Sequence, residues 1–438
     1  MKVALVSLGC SKNLVDSEIM LGFLKRARFT IAEKPEDADV AVVNTCAFIR
    51  EAKEEAIDTI FELVKLKKEG KLKKVIVAGC LPELYKQKLA SHLPEADGFI
   101  GPGSIDRIAG VIAGALKGSR LFVARNKHYL YEHDTPRLML TPKHYAYLKI
   151  ADGCDNRCSY CVIPRIRGRY QSRPMESIIK EAEVLSRRGV KEINLISQDT
   201  TFYGRDIYKK YALEALIKRL VNVKRIRWIR ILYTHPLHLQ DSLVHTIARE
   251  PKVCAYIDLP LQHINDTILK LMRRRVNGRL IRHRIDTIRR LIPGAALRTS
   301  IIVGFPQETQ KRFDELYRFV RDTGFDRLGV FRYSREENTP ASSLTGQVPE
   351  KVKAARYEKI MLLQQKIAAR KQAAYIGKTI DVLIDELQGG DTACGRTQCD
   401  APDVDGLVFV KGKKMRQGDM IKAHITGSLV YDLIGNKI

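Results

Sequence analysis

No stretch of the 438-residue chain is apolar for long enough to cross a bilayer, so no membrane span is expected. The opening MKVALVSLGC lacks the basic start and small-residue cleavage site of an export signal. It reads as a first strand, and a soluble cytoplasmic protein is the expectation. Neither GxGxxG nor GxxxxGK[ST] occurs, which removes the usual phosphate-loop nucleotide sites. Acidic residues are scarce, 50 against 76 lysines and arginines, and the formal net charge of +26 points to polyanionic surroundings. The shortage is local. Between Arg205 and Ser300 there are 21 basic and 7 acidic residues, whereas Ile376 to Ile438 holds 8 and 9. Basic helices such as RLIRHRIDTIRR present either a solvated face or a surface that approaches RNA or a ribosome. The 9 cysteines are an odd number without an export signal, which favours metal ligation or reactive thiols over disulfides.

The chain divides by pattern. Residues 1–116 alternate buried strands (VALVSL, DVAVVN, KVIVAG, DGFIG) with helical patterns (SEIMLGFLKRA, EAKEEAIDTIFELVKLKK, PELYKQKLASHL), which predicts a doubly wound parallel sheet. Residues 117–143 are polar with two prolines and read as a linker. Six strands then alternate with helices over 144–349: HYAYLKI, EINLIS, WIRILY, CAYIDLP, TSIIVG and RLGVFRY. That predicts a partial (β/α)6 barrel of the TIM kind, with chemistry on the loops after the strands. Residues 350–375 read as one connecting helix, and 376–438 as a small all-β barrel of OB-like size. The fold class is α/β with this small β domain appended.

Directly after the first barrel strand, ADGCDNRCSYCVIP sets Cys154, Cys158 and Cys161 as C-x3-C-x2-C. Three thiolates on one short loop can wrap three corners of an iron–sulfur cube and leave one iron open, as a catalytic site requires. Zinc is the competing occupant, but zinc sites usually pair two ligands on separate knuckles, and no second pair is here. Three further cysteines close predicted strands: Cys10 in LGCSKN, Cys46 in NTCAF and Cys80 in AGCLP. Adjacent parallel strands would bring them to one crevice despite separations of thirty-odd residues. The alternative is three separate buried thiols. Cys254, Cys394 and Cys399 have only a structural reading.

Cys154, Cys158, Tyr160 and Cys161 form C-x3-C-x-aromatic-C, which resembles the signature of the radical S-adenosylmethionine superfamily. The resemblance implies a four-iron four-sulfur cluster whose open iron binds S-adenosyl-L-methionine, reductive cleavage to a 5′-deoxyadenosyl radical, and an external electron donor. It also places Tyr160 near the adenine and puts Gln198, Asp199 and Gly304 at strand ends where such enzymes contact the cofactor. The N-terminal motifs resemble the methylthiotransferase family. Membership implies a second four-iron four-sulfur cluster on Cys10, Cys46 and Cys80, carrying the sulfur to be inserted, and a C-terminal TRAM domain.

Within that family the substrate is an adenosine of tRNA or an aspartate of ribosomal protein S12. SLGCSKNLVDSE, SQDTTFYG, LYTHP, YIDLPLQH, RYSREENTPA and GRTQCDAPDVDG resemble the aspartate-modifying branch. That branch implies methylthiolation at the aspartate β-carbon, on or near the ribosome, and the basic charge of the barrel leaves ribosomal RNA contact there as one of its two readings. Asp400, Asp403 and Asp405 are expected to form an acidic face for a basic ribosomal protein, or else to cap turns. Gln307 and Asn338 stand where relatives often have glycine, which puts the local turn geometry in question. Two other readings stay open, a tRNA adenosine methylthiotransferase and a non-catalytic iron–sulfur ribosome-binding factor.

Overall fold

The computed structural model describes residues 1–124 and 129–438, so residues 125–128 of the expected linker lie outside the described residues. Near-continuous Val, Ile and Ala runs make strands that can be covered on both faces. They are β1 (Lys2–Ser7), β2 (Thr30–Ala32), β3 (Val40–Thr45), β4 (Lys74–Gly79), β5 (Gly98–Ile100) and β6 (Leu121–Val123). All pair in parallel, in the order β2-β1-β3-β4-β5-β6. The β3 strand is buried at every position. Helices α1 (Ser11–Arg26), α2 (Arg50–Lys68), α3 (Cys80–Tyr85), α4 (Gln87–His92) and α5 (Ile108–Leu116) lie between the strands in sequence. The edge strands β2 and β6 were not legible as apolar runs, and β6 falls in the stretch read as linker.

Helix α1 also starts earlier than its apolar spacing predicts. Asn13, Asp16, Ser17 and Glu18 are buried polar residues on it; Ser17 is met by Ser7 and Asn44 inside the sheet, and partners beyond the domain explain the other three. Arg137 pairs with Glu18 at 2.5 Å, and Lys149 with Asp16 at 2.5 Å.

The second unit contains β7 (Tyr145–Lys149), β8 (Ala151–Asp152), α6 (Ile163–Arg167), β9 (Gln171–Ser172), α7 (Met175–Arg187), β10 (Glu192–Ile196), α8 (Leu213–Leu220) and β11 (Trp228–Ile231). It continues with α9 (Asp241–Arg249), β12 (Tyr256–Asp258), α10 (Asp266–Leu271), α11 (Gly278–Leu291), β13 (Ala296–Val303), α12 (Gln310–Thr323) and β14 (Arg327–Arg332). Strands β7, β10 and β11 form one parallel sheet and β12, β13 and β14 another. The two join where the Cys254 N–H donates to the Ile229 carbonyl at 2.9 Å, completing a six-strand partial barrel. Its interior and helix seams are filled by Ile, Leu and Val, including Ile281, Ile285 and Ile288 of α11, so the arginines of that helix face outward.

The α13 helix (Glu350–Ala373) leads to β15 (Thr379–Gly389), β16 (Thr392–Arg396), β17 (Val408–Lys411), β18 (Met420–Ser428) and β19 (Leu433–Lys437). These close a small barrel in the order β15-β16-β17-β19-β18. It stands against the N-terminal ends of the large barrel's strands. Tyr256 donates its hydroxyl to Asp405 at 2.6 Å and Tyr147 to Asp403 at 2.9 Å. Arg327 pairs with Asp400, and Arg230 donates to the Gln398 carbonyl at 2.7 Å. The expected acidic docking face is thus corrected. The side chains of Asp400 and Asp405 are 5% and 2% exposed, because barrel arginines and tyrosines take them.

Gln307 and Asn338 adopt φ of +66° and +61°, the left-handed region where glycine is the usual occupant. The turns keep a glycine-like shape without glycine. No helix among the described residues is long and apolar enough to cross a membrane.

Candidate active site

Pairing register gathers the first cysteine triad. Ser7 pairs with Asn44, Asn44 with Ala78, and Thr45 with Gly79. Cys46 and Cys80 each follow a paired residue, and Cys10 lies in the turn after the neighbouring strand. Gly9 permits the close approach: a Cβ there would sit 2.7 Å from Cys46 Cβ and 3.2 Å from its Sγ. A polar lattice fixes the turn below. Asn13 donates to the Thr45 carbonyl at 2.9 Å, Asn44 to the Asn13 carbonyl at 2.8 Å, and Thr45 Oγ1 to the Ala78 carbonyl at 2.7 Å. Cys10 is exposed while Cys46 and Cys80 are buried.

The three thiols differ electrostatically. Desolvation by the surrounding turn opposes ionisation of Cys10 although the residue reaches the surface, yet Lys12, Arg167 and backbone N–H groups of Asn13 and Lys12 outweigh it and lower its pKa. Burial raises Cys46, and lifts Cys80 to about 12 despite Arg167. A metal that binds here must displace those protons.

The second triad hangs from β8, which pairs with β9. The loop is pinned from several sides. Cys154 N–H donates to the Gly168 carbonyl at 3.1 Å, and Cys161 N–H to the Cys158 carbonyl at 3.2 Å. Ser159 donates its N–H to the Met272 carbonyl at 3.0 Å and its hydroxyl to the Leu271 carbonyl at 2.7 Å. Arg274 reaches Cys158 Sγ at 3.8 Å. Burial pushes Cys154 up to about 12 and raises Cys161 as well.

A buried ionic relay joins the two triads. Arg167 donates to Asp16 at 2.5 Å, Asp152 at 3.1 Å and Asn13 at 2.6 Å, with its Nη2 3.8 Å from Cys80 Sγ. Lys149 bridges the same two aspartates at 2.5 and 3.0 Å. Asp152 stands two residues before Cys154, so the relay runs from the turn of one triad to the base of the other. Sequence reasoning missed it. The available signal was a lysine and an aspartate set in the otherwise apolar run YLKIADG.

The predicted cofactor contacts surround the second triad. Gln198 donates to Asp152 at 2.9 Å, and its Oε1 is buried without a partner. Tyr160 packs edge-on against Phe305 at 6.4 Å between ring centroids. Gly304 has φ +71°, and its missing side chain makes room for Lys353, whose Cγ would be 2.2 Å from a Cβ. Its need for glycine therefore comes from α13. Asp199 does not face the cleft as a free carboxylate: it accepts from Asn156, His238 and Thr201, each at 2.7 Å. Burial raises it, but the hydrogen bonds from His238 and Thr201 outweigh that and bring its pKa down to about 2.

His235 was not singled out by sequence. Burial holds its pKa well below the usual imidazole value, so it is neutral. Its Nδ1 accepts the Leu237 N–H at 3.2 Å, which leaves the proton on a buried, partnerless Nε2. Arg274 Nε is likewise buried and partnerless.

These observations test the implied groups. Four-coordinate zinc with bonds of about 2.3 Å would draw its sulfurs to roughly 3.8 Å from one another. Among the described residues, the clusters of metal-ligating atoms lying within 4.8 Å of one another include neither cysteine triad. Neither triad is therefore gathered at single-ion spacing, and three thiols apiece are the donor set of a cube with one open iron. The orphaned Gln198, His235 and Arg274 atoms suit a polar ligand beside the second triad. The residues fit.

Profile matches divide the chain into "Uncharacterized protein family UPF0004" at residues 2–101, "Radical SAM superfamily" at 148–320 and "TRAM domain" at 376–438. A protein of Heliobacterium modesticaldum named ribosomal protein uS12 methylthiotransferase RimO is 48% identical, over 100% of this chain and 95% of that one. The protein of the same name in Pelobacter propionicus is 47% identical, over 99% and 97%. Among solved structures, the radical S-adenosylmethionine methyltransferase TsrM from Kitasatospora setae, with cobalamin and a 4Fe-4S cluster bound, aligns with a TM-score of 0.55. It covers 78% of this chain and 76% of that one at 13% identity, a likeness of fold alone.

Proposed function

Since the chain belongs to the RimO family of ribosomal protein uS12 methylthiotransferases, we propose from that premise how its residues divide the reaction. It is a radical S-adenosylmethionine enzyme that adds a methylthio group to the β-carbon of a uS12 aspartate. That C–H bond is unactivated, and acid–base groups alone cannot readily break it.

Cys154, Cys158 and Cys161 hold one four-iron four-sulfur cluster, and Cys10, Cys46 and Cys80 hold the second. When bound, these clusters and S-adenosylmethionine supply the electron that yields a 5′-deoxyadenosyl radical, the inserted sulfur and the methyl group. The chain's own residues set the stage. Arg167 and Lys12 offset the negative charge that three thiolates gather at the first triad, and Arg274 does so beside Cys158. Gln198, turned by Asp152, offers a carbonyl oxygen, while His235 and Arg274 offer N–H donors, to the polar groups of S-adenosylmethionine. Tyr160, backed by Phe305, supplies an aromatic wall for the adenine. Gly304 lets α13 close over the end of β13.

Residues 1–116 carry the sulfur-donating cluster, 144–349 the radical barrel and 376–438 the TRAM domain, with 117–143 and 350–375 connecting them. The outward arginines of α11 suit ribosomal RNA near uS12. An external reductant supplies the electron, and the reaction takes place in the cytoplasm.

The observation that carries this reading is the pair of under-ligated triads at strand C-termini of two domains, tied by the Asp16–Lys149–Asp152–Arg167 relay. Anaerobically reconstituted protein with dithionite should release 5′-deoxyadenosine and add a methylthio mass to uS12. Release of none, or methylthiolation of tRNA in place of uS12, overturns it.

A further inference from the structure

Outside the site, four cations line a cavity of about 480 Å³. Its walls are Arg157, Lys270, Arg273, Arg275 and Val276, four cations with no carboxylate among them. All four cations are exposed. Among the described residues none of them is drawn into an ion pair, and the nearby Asp155 is taken by Arg169 at 3.2 Å.

The backbone arranges this deliberately unequal use of three consecutive arginines. Arg273 and Arg275 have φ of +56° and +55°, a region that residues with side chains seldom enter. The two reversals turn Arg274 inward, where it is buried against Cys158 Sγ and the Pro260 carbonyl, and leave its neighbours pointing out. Strained conformations of this kind concentrate at functional sites. Arg157 immediately precedes Cys158 in the chain. The cavity therefore opens on the outer side of the loop that carries the second triad, while Arg274, outside its lining, faces Cys158 Sγ.

We infer that this four-cation cavity is the landing site for an acidic, one-electron donor protein that reduces the cluster on Cys154, Cys158 and Cys161. The inference rests on the cluster assignment proposed above and adds the partner's chemistry and point of contact. RNA is the other polyanion a basic surface could take. Phosphate recognition gains from charges strung along a track. Here the charges converge on one cavity beside a redox loop, where an electron donor gains from proximity and RNA does not. The electron balance is simple. The donor gives up one electron, which ends on the sulfonium of S-adenosylmethionine. The S–C5′ bond breaks, methionine sulfur keeps the electron pair, and the adenosyl carbon keeps the unpaired electron.

The test uses full-length, cluster-loaded enzyme with flavodoxin hydroquinone as donor, following the bleaching of cluster absorbance at low salt. Arg273→Glu combined with Arg275→Glu should slow reduction by flavodoxin on the order of 10–100-fold, the size of steering effects between charged partners. The wild-type rate should fall as salt is added. Deoxyadenosine release driven by dithionite, which needs no docking, should be unchanged in the variant. Lys270→Glu, on α10 and outside the strained tripeptide, should slow flavodoxin in the same direction and serves if the double variant does not fold. Unaltered flavodoxin rates in both variants would overturn the inference. So would loss of ribosome binding with flavodoxin reduction intact, which assigns the surface to RNA. If dithionite yields no deoxyadenosine from wild-type enzyme, the radical reading itself fails.

Discussion

Replacing Arg167 by methionine should loosen the junction between the two cluster domains by about 3–5 kcal/mol, the usual cost of removing one partner from a buried ion pair. The structure sets this size. Arg167 is 2% exposed and donates to Asp16 at 2.5 Å, Asp152 at 3.1 Å and Asn13 at 2.6 Å. Counting each bond to a charged partner at about 1.5–3 kcal/mol would exceed that figure, but the guanidinium also sheds its own desolvation cost when removed. What remains is two buried carboxylates with Lys149 as their only cation, Asp152 keeping also its bonds from Gln198 and the Gly153 N–H. Arg167→Lys should recover only part of the loss, because an ammonium cannot fork to Asp16, Asp152 and Asn13 at once. Adding Asp16→Asn to Arg167→Met should cost less than the two single changes summed, since each removes the other's stranded partner. The assay is urea unfolding followed by tryptophan fluorescence, with iron counted on the same samples. A loss below about 1 kcal/mol for Arg167→Met, with both clusters retained, would refute the reasoning.

Three further outcomes are expected. Alanine at Cys154, Cys158 and Cys161 together should lower iron and sulfide from about two cubes per chain to about one, and alanine at Cys10, Cys46 and Cys80 should do the same independently, by anaerobic iron and sulfide analysis. Gly304→Ala should destabilise by at least about 1–2 kcal/mol, the cost of a side chain in left-handed backbone. Shortening Lys353 to alanine in the same chain should return the steric part in a thermal melt but leave the backbone part. Tyr256→Phe should cost about 1–3 kcal/mol, because Asp405 loses a hydroxyl held at 2.6 Å in a buried setting. Chemical denaturation measures it, and a neutral result would mean that the small barrel does not depend on that contact.

Some of the fold and site was legible because the signal was local or periodic. The apolar runs ending at Cys10, Cys46 and Cys80 announce strands, and adjacent parallel pairing then fixes their common edge. The six barrel strands are likewise written as apolar runs between amphipathic helices. The Cys154–Cys161 loop needs no tertiary knowledge at all. What could not be read was decided by partners distant in the chain. Helix α1 begins with buried Asn13 and Asp16, which look like loop residues until Arg167 and Lys149 are seen against them. Asp400 and Asp405 look like a solvent-facing acidic turn, and only the arginines and tyrosines at the strand starts reveal that they are internal. His235 lies in the LYTHP stretch, but its partnerless Nε2 shows only once its surroundings are assembled. The β2 and β6 strands, each 3 residues long, are too short for period to speak.

The closure of the large barrel's strand-start end by the turn after β16 also bears on how the chain is made. Arg298 and Arg327 leave the ribosome well before Asp400 and Asp405, which face them in the finished molecule, and Arg230 before the Gln398 carbonyl it donates to. At a synthesis rate of about 5–20 residues per second, Arg327 waits roughly 4–16 s for Asp405 to be added. During that interval Arg230 and Arg298 have Glu192 and Asp258 within the barrel, whereas Arg327 still lacks its carboxylates. Translation therefore adds the barrel's floor after its walls, and a ribosome that stalls between Arg327 and Asp400 leaves an unsealed vessel.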